Sequence, residues 1–219
     1  FSPEISTYYE SLSTNDNAST TLKQQEGTYI DTDLKYSIIQ DKRDRKFQPT
    51  EGYVMVFRQS LPVVQDKSSI SNAFQISKYK EVSDNIIGSL KYRAAMIDGV
   101  DGDVRLTNRL YMGSKEVRGF VPGKMGPKDG TDYIGGNYKT SISVDAQLPN
   151  LLPESYNTDF NLFLDAGNVW GVDYGDKSDS SKIRSSVGIG ANVFTPVGPL
   201  SFIFSQALAK KDTDQTETF

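Results

Sequence analysis

The sequence predicts an all-β fold of antiparallel strands, and three observations carry the prediction. Alternation of apolar and polar residues with period two recurs along the chain, whereas the 3.6-residue rhythm of an amphipathic helix is hard to find. Turn signals fall between the alternating runs: Pro49-Thr50-Glu51-Gly52, Asp98-Gly99, Gly135-Gly136 and Pro196-Val197-Gly198-Pro199. Many runs are longer than the about 5–6 residues usual in soluble domains. They sit near the about 9–11 residues with which a tilted strand crosses a bilayer.

Strands are expected at roughly 4–12, 28–41, 52–64, 72–83, 86–97, 106–113, 136–148, 158–170, 184–195 and 199–210, with the start of another at 215–219. In the second run Ile30, Thr32, Leu34, Tyr36 and Ile38 oppose Asp31, Asp33, Lys35 and Ser37. In the fifth, Leu90, Tyr92, Ala94 and Met96 oppose Ser89, Lys91 and Arg93. Tyr138, Thr140, Ile142, Val144, Ala146 and Leu148 alternate with Lys139, Ser141, Ser143, Asp145 and Gln147. Phe160, Leu162, Leu164 and Ala166 face away from Asp159, Asn161 and Asp165. Val187, Ile189, Ala191 and Val193 face away from Ser186, Gly188, Gly190 and Asn192. Between the sixth and seventh runs, residues 113–134 carry Gly, Pro, Lys and Asp without alternation and read as a long loop. A loop of about 20 residues in a compact domain is usually functional or disordered. Asp41 and Asp44 with Arg43 and Arg45 read as a charged turn network.

Composition removes most chemistry. The 219 residues suffice for one domain with a sizeable core. Neither cysteine nor histidine occurs. Thiol catalysis, disulfides, cysteine metal sites and the commonest general base are therefore excluded, and neither a cofactor nor a metal is expected. A formal charge of −4 offers no general basic surface for nucleic acid. Mean hydropathy is −0.47, and no stretch approaches the roughly 18 apolar residues of a membrane helix. That average leaves a membrane barrel open, because its strands alternate lipid-facing apolar and lumen-facing polar residues. Tyr53, Tyr111, Tyr138 and Trp170 near strand ends would fit interfacial girdles. Phe1 to Asp16 has neither the basic start nor the apolar run of a signal peptide. A soluble β-sandwich would alternate in the same way, so pattern and composition leave both architectures standing.

Six strings separate them. Asp41-Lys42-Arg43-Asp44 is followed by Phe47-Gln48-Pro49-Thr50-Glu51-Gly52, and Val117-Arg118-Gly119-Phe120 lies inside the long loop. Gly135-Gly136-Asn137 opens a strand, then come Phe163-Leu164-Asp165-Ala166-Gly167-Asn168-Val169-Trp170, Arg184-Ser185-Ser186-Val187-Gly188-Ile189-Gly190 and Pro196-Val197-Gly198-Pro199-Leu200. In this order the set resembles the BamA-type family of outer-membrane protein assembly factors, in the surface-antigen superfamily of barrels preceded by POTRA domains. The resemblance implies an antiparallel transmembrane β-barrel in the bacterial outer membrane. About 10–11 strands of a sixteen-strand wall would be represented. On this reading residues 1–219 are one partial barrel domain with two unpaired edges, lacking POTRA sequence and a final strand.

The resemblance further implies a non-enzymatic insertion factor that admits client strands through a lateral seam. Its partners would be unfolded outer-membrane clients, the lipid bilayer and periplasmic assembly lipoproteins, with no nucleic acid. A two-partner-secretion transporter or a TamA-like translocation barrel shares the loop string and stands as the alternative, ahead of a passive porin or a soluble sandwich. Val117, Arg118, Gly119 and Phe120 would form a lumen-inserted loop lock. Asp145 and Asp165 carry the inward parity that makes them partners for Arg118. Gly167, Gly188 and Gly190 face inward by parity and would leave room for the loop tip, while Gly135 and Gly136, grouped with Gly167 as supporting glycines, also read as a plain turn. Trp170 is expected at an interface. Parity directs Ile142, Val144, Leu162, Leu164, Val187 and Ile189 to lipid, and Lys139, Asp145, Asp165 and Arg184 to the lumen.

Overall fold

A computed structural model describes residues 1–149, 151–153, 157–173 and 181–219. In chain order the elements are β1 Ser2–Leu12, the one-turn helix α1 Thr20–Lys23, β2 Gly27–Asp41, β3 Gly52–Val64, β4 Ser69–Ser83 and β5 Ile86–Gly99. There follow β6 Lys128–Asp129, β7 Asp132–Tyr133, β8 Tyr138–Gln147, β9 Thr158–Trp170, β10 Arg184–Thr195 and β11 Gly198–Ala209. Nine strands form one antiparallel sheet in the order β1-β2-β3-β4-β5-β8-β9-β10-β11, while β6 and β7 make a small separate hairpin. Each strand pairs with its sequence neighbour except where the connection 100–137 leads from β5 to β8. The expected antiparallel meander is the fold observed, with nothing helical among the described residues beyond the turn of α1 and one 3-10 turn.

Burial settles which face is which. Ile142, Val144, Leu162, Leu164, Val187 and Ile189 are all 40% exposed or more. The intervening Ser141, Ser143, Asp165, Arg184 and Ser186 are nearly or wholly buried. Ile30 and Ile38 are likewise exposed while Asp31 and Asp33 are buried. A soluble sandwich would show the reverse. An apolar outer face this extensive is stable only against hydrocarbon, and the polar inner face belongs to a lumen. The loop 100–137 fills that lumen and supplies most of the buried apolar side chains: Val104, Leu106, Met112, Val117, Phe120, Met125 and Ile134.

Three expectations need correction. The run 106–113 is no strand: Leu106–Asn108 forms a single 3-10 turn and Leu110 makes an isolated bridge to Gly136. Leu106, Leu110 and Met112 imitate strand spacing. However, Arg105 and Arg109 beside them are buried and turn to carboxylates on different walls, which an extended strand could not reach together. The loop accordingly runs over 100–137 rather than 113–134, and it contains the β6–β7 hairpin. Residues 215–219 join no named strand; they pair with the loop tip, through a bridge between Phe120 and Thr216. At the opposite end of the wall the charged turn is observed. Arg43 forks onto Asp41, and Asp44 accepts from the Thr50 hydroxyl and the main chain of Thr50 and Glu51. Those bonds to Asp44 hold its carboxyl down to about 2.

Candidate functional site

Small side chains on the inner face of β8, β9 and β10 leave a shallow floor. Ser143 and Ser186 flank Asp165 in register, and Gly167 lies opposite Ser141. A Cβ on Gly167 would lie 2.8 Å from Val117 Cγ2, so the absent side chain is the space the loop tip occupies. Asp145 faces Phe163 across β8 and β9, one pleat away from the Ser143–Asp165 pair. The two acids are therefore diagonal neighbours on one face, within reach of a single guanidinium.

Arg118 occupies that position. Its Nε and Nη2 donate to the two oxygens of Asp165, both at 2.7 Å, and Nη1 donates to Asp145 at 2.8 Å. The main-chain N–H of Arg118 also donates to Asp165, at 3.0 Å. The guanidinium carbon stands 3.6 Å from the Phe163 ring centre, so a π face covers the plane left free by the carboxylates. Burial alone would weaken the arginine's hold on its proton. The bonds to Asp165 and Asp145 outweigh it, raising the pKa further and fixing the charge. Asp165 is fully buried and spent on Arg118, whereas Asp145 also receives Lys91 at 3.4 Å and Asn161 at 3.2 Å.

Around this lock, Val117 and Phe120 pack with Met112, Met125 and Val169. Gly119 turns the tip at φ +87°, and a Cβ there would meet Ser205 Oγ at 2.7 Å. Gly135, at φ +65°, and Gly136 close the loop's far end, where Gly136 and Leu110 exchange main-chain hydrogen bonds. Lys139 faces inward and ties the loop base through Glu116 at 2.9 Å, and Arg184 is inward and fully buried. Trp170, half-buried at the end of β9, rests against Tyr138.

Sequence reasoning missed several members. Phe163 sits on the wet parity of an alternating strand, and an aromatic on that side was the one available signal. Arg105 pairs with Asp31 over the Tyr29 ring, and Arg109 reaches Asp173 at 3.0 Å. These partners stand 74 and 64 residues apart in the chain, with no local pattern to join them. The arrangement holds charges in fixed geometry, Arg118 on Asp145 and Asp165, Arg105 on Asp31 and Arg109 on Asp173. Among the described residues no group of three or more acidic side chains is placed to hold a metal ion.

Comparison with known proteins places this geometry in context. The Omp85 superfamily domain is matched over residues 2–219. The outer membrane protein assembly factor BamA of Neorickettsia risticii is 30% identical over 204 residues, covering 90% of this chain and 27% of that protein. The sorting and assembly machinery component 50 homolog A of Xenopus laevis is 25% identical over 172 residues, covering 73% of this chain and 36% of its own length. The chain thus spans well under half of these relatives. In fold it resembles the crystal structure of BamA from Haemophilus ducreyi lacking POTRA domains 1–3. The TM-score is 0.80 at 23% identity, over 89% of this chain and 42% of that one.

Proposed function

This chain belongs to the Omp85 superfamily, and on that footing we propose that it is part of a BamA-like barrel that folds client β-barrel proteins into the bacterial outer membrane. The observation that carries the reading is the Arg118 clamp. A loop tip drawn into the lumen and fixed by two carboxylates and a ring stiffens the wall from inside. A porin that only conducts solutes has no need of such a plug. The apolar outer face is the lipid contact, and the family relationship supplies the outer-membrane setting.

In this role the protein makes and breaks no covalent bond. Clients would enter through a lateral seam of the complete barrel, pairing main chain to main chain on an exposed strand edge. Unfolded outer-membrane proteins and periplasmic assembly lipoproteins are the partners this implies. Asp145 and Asp165 keep the tip docked while the wall deforms, Gly167 keeps its berth open, and Gly135 and Gly136 let the loop's far end lie against Leu110, Tyr111 and Trp170.

Complementation tests the reading. The complete protein carrying Arg118→Ala should insert into the outer membrane yet fail to restore client levels in cells depleted of the native copy. Arg118→Lys should restore them poorly, because an ammonium cannot fork across two acids. Full client levels with Arg118→Ala would remove the clamp from the mechanism.

A further inference from the structure

We propose that Arg184, together with Asp214 and Asn168, is a second lock for the loop tip, acting as a positioning residue through the segment 215–217. Arg184 lies at the start of β10, on the inner face. Its Nε and Nη2 donate to the two oxygens of Asp214, each at 2.9 Å, and Nη1 donates to Asn168 Oδ1. Both charged side chains are wholly buried. Asp214 also accepts the Lys211 N–H, closing the turn that follows β11. A bidentate pair sealed from solvent fixes where the next residues can go, because neither charge can leave its partner without facing a lumen that offers no replacement.

The next residues run along the tip of the loop. Gln215 N–H donates to Lys124 O, Val121 N–H to Gln215 O, and Glu217 N–H to Gly119 O, all within 3.1 Å. One residue further, Ser205 N–H of β11 donates to Thr218 O, and Ser205 Oγ donates to Glu217 O. Residues 215–217 are thus inserted between the tip and β11. The tip is held on one side by the Arg118 side chain against β8 and β9, and on the other by main-chain pairing to this segment. Arg184 and Asp214 share no carboxylate with Arg118, although Asn168 and the Arg184–Gly167 pairing also tie the second lock to β9, the strand that carries Asp165. Releasing the second lock should loosen the tip with the Arg118 bonds intact. This inference concerns how the tip is held, and it stands or falls separately from client insertion.

The test uses thiol accessibility in the membrane-inserted complete protein, helped by the absence of cysteine from these 219 residues. A Val117→Cys reporter sits where the native side chain is 0% exposed, and a control reporter, Ser77→Cys, sits on β4 where the native side chain is 2% exposed. Arg184→Gln and Asp214→Asn should each raise maleimide labelling at position 117 by about tenfold or more while position 77 stays protected. The charge-reversed pair Arg184→Asp with Asp214→Arg should recover part of the protection. Labelling at 117 within about twofold of the parent in both single variants would overturn the proposal. Should both reporters become labelled, the wall itself has failed, and Glu217→Pro decides. That change deletes the single N–H donated to Gly119 O and leaves the Arg184 pair in place. Labelling at 117 alone then supports the second lock, and continued protection there refutes it.

Discussion

Replacing Arg118 by alanine removes three side-chain hydrogen bonds to Asp165 and Asp145 and the cation over the Phe163 ring. Taking one partner from a buried ion pair costs about 3–5 kcal/mol. Two features place this site at the lower end. Asp165 keeps the main-chain N–H of residue 118, and Asp145 keeps Lys91 and Asn161. A loss of about 3 kcal/mol corresponds to about a hundredfold rise in the fraction of molecules with an undocked tip. Hydrogen exchange read by mass spectrometry on peptides covering residues 113–126, with the protein in lipid vesicles, reports that fraction directly. The order of variants is a stricter check than the size. Asp165→Asn should accelerate exchange more than Asp145→Asn, since Asp165 takes two of the three side-chain bonds and the main-chain one as well. Arg118→Lys should lie nearer alanine than wild type. Exchange at residues 118–121 unchanged by Arg118→Ala, or greater sensitivity to Asp145→Asn than to Asp165→Asn, would refute the account of the clamp.

Three further outcomes are expected. Gly167→Ala should cost about 1–3 kcal/mol by overpacking, because the new Cβ meets Val117 Cγ2 and Thr140 O at 2.8 Å; thermal loss of heat-modifiable migration on gels measures it. Leu164→Arg should destabilise folding into vesicles by about 2–4 kcal/mol near the bilayer midplane, whereas Gln147→Arg on the inner face should be tolerated; equal effects would contradict the facing. The Asp44 turn should respond to acid in a defined window. Its carboxyl is held down from 3.8 to about 2, so the folded turn binds fewer protons than the unfolded chain between those values. The contribution is complete above about pH 4 and lost as pH falls toward 2, and Asp44→Asn should abolish that dependence as followed by exchange of the Thr50 and Glu51 amides.

The strands were legible because a pleat writes its two faces into alternate residues, as in Ile142-Ser143-Val144-Asp145. That record is symmetric, and alternation alone does not say which face meets water. Exposure of Leu162 and Leu164 against burial of Asp165 answers it, and burial is a property of the assembled wall. The same parity put Asp145 and Asp165 on the face where Arg118 meets them. What stayed hidden is non-local. The partners of Arg105, Arg109 and Arg184 come from other strands or loops, and no periodicity links residue 31 to residue 105. The segment 106–113 misled because Leu106, Leu110 and Met112 obey a two-residue spacing for a different cause: they pack inward from an irregular loop whose arginines point to separate walls.

The sequence separations in these ion pairs also impose an order of events in folding. Arg118 needs acids 27 and 47 residues downstream, and Arg105 needs one 74 residues upstream. The Arg105 pocket does not exist until β1–β2 has been built, nor the Arg118 pocket until β8–β9 has. Closing such distant contacts early would carry the entropy of a long loop with little to offset it. Docking of residues 100–137 therefore comes late, after the walls it joins. A filled Arg118 site is accordingly a sign that the β8–β9 flank is complete, as a filled Arg105 site is for β1–β2, and a variant that halts assembly of either should be caught with that part of the long loop still outside.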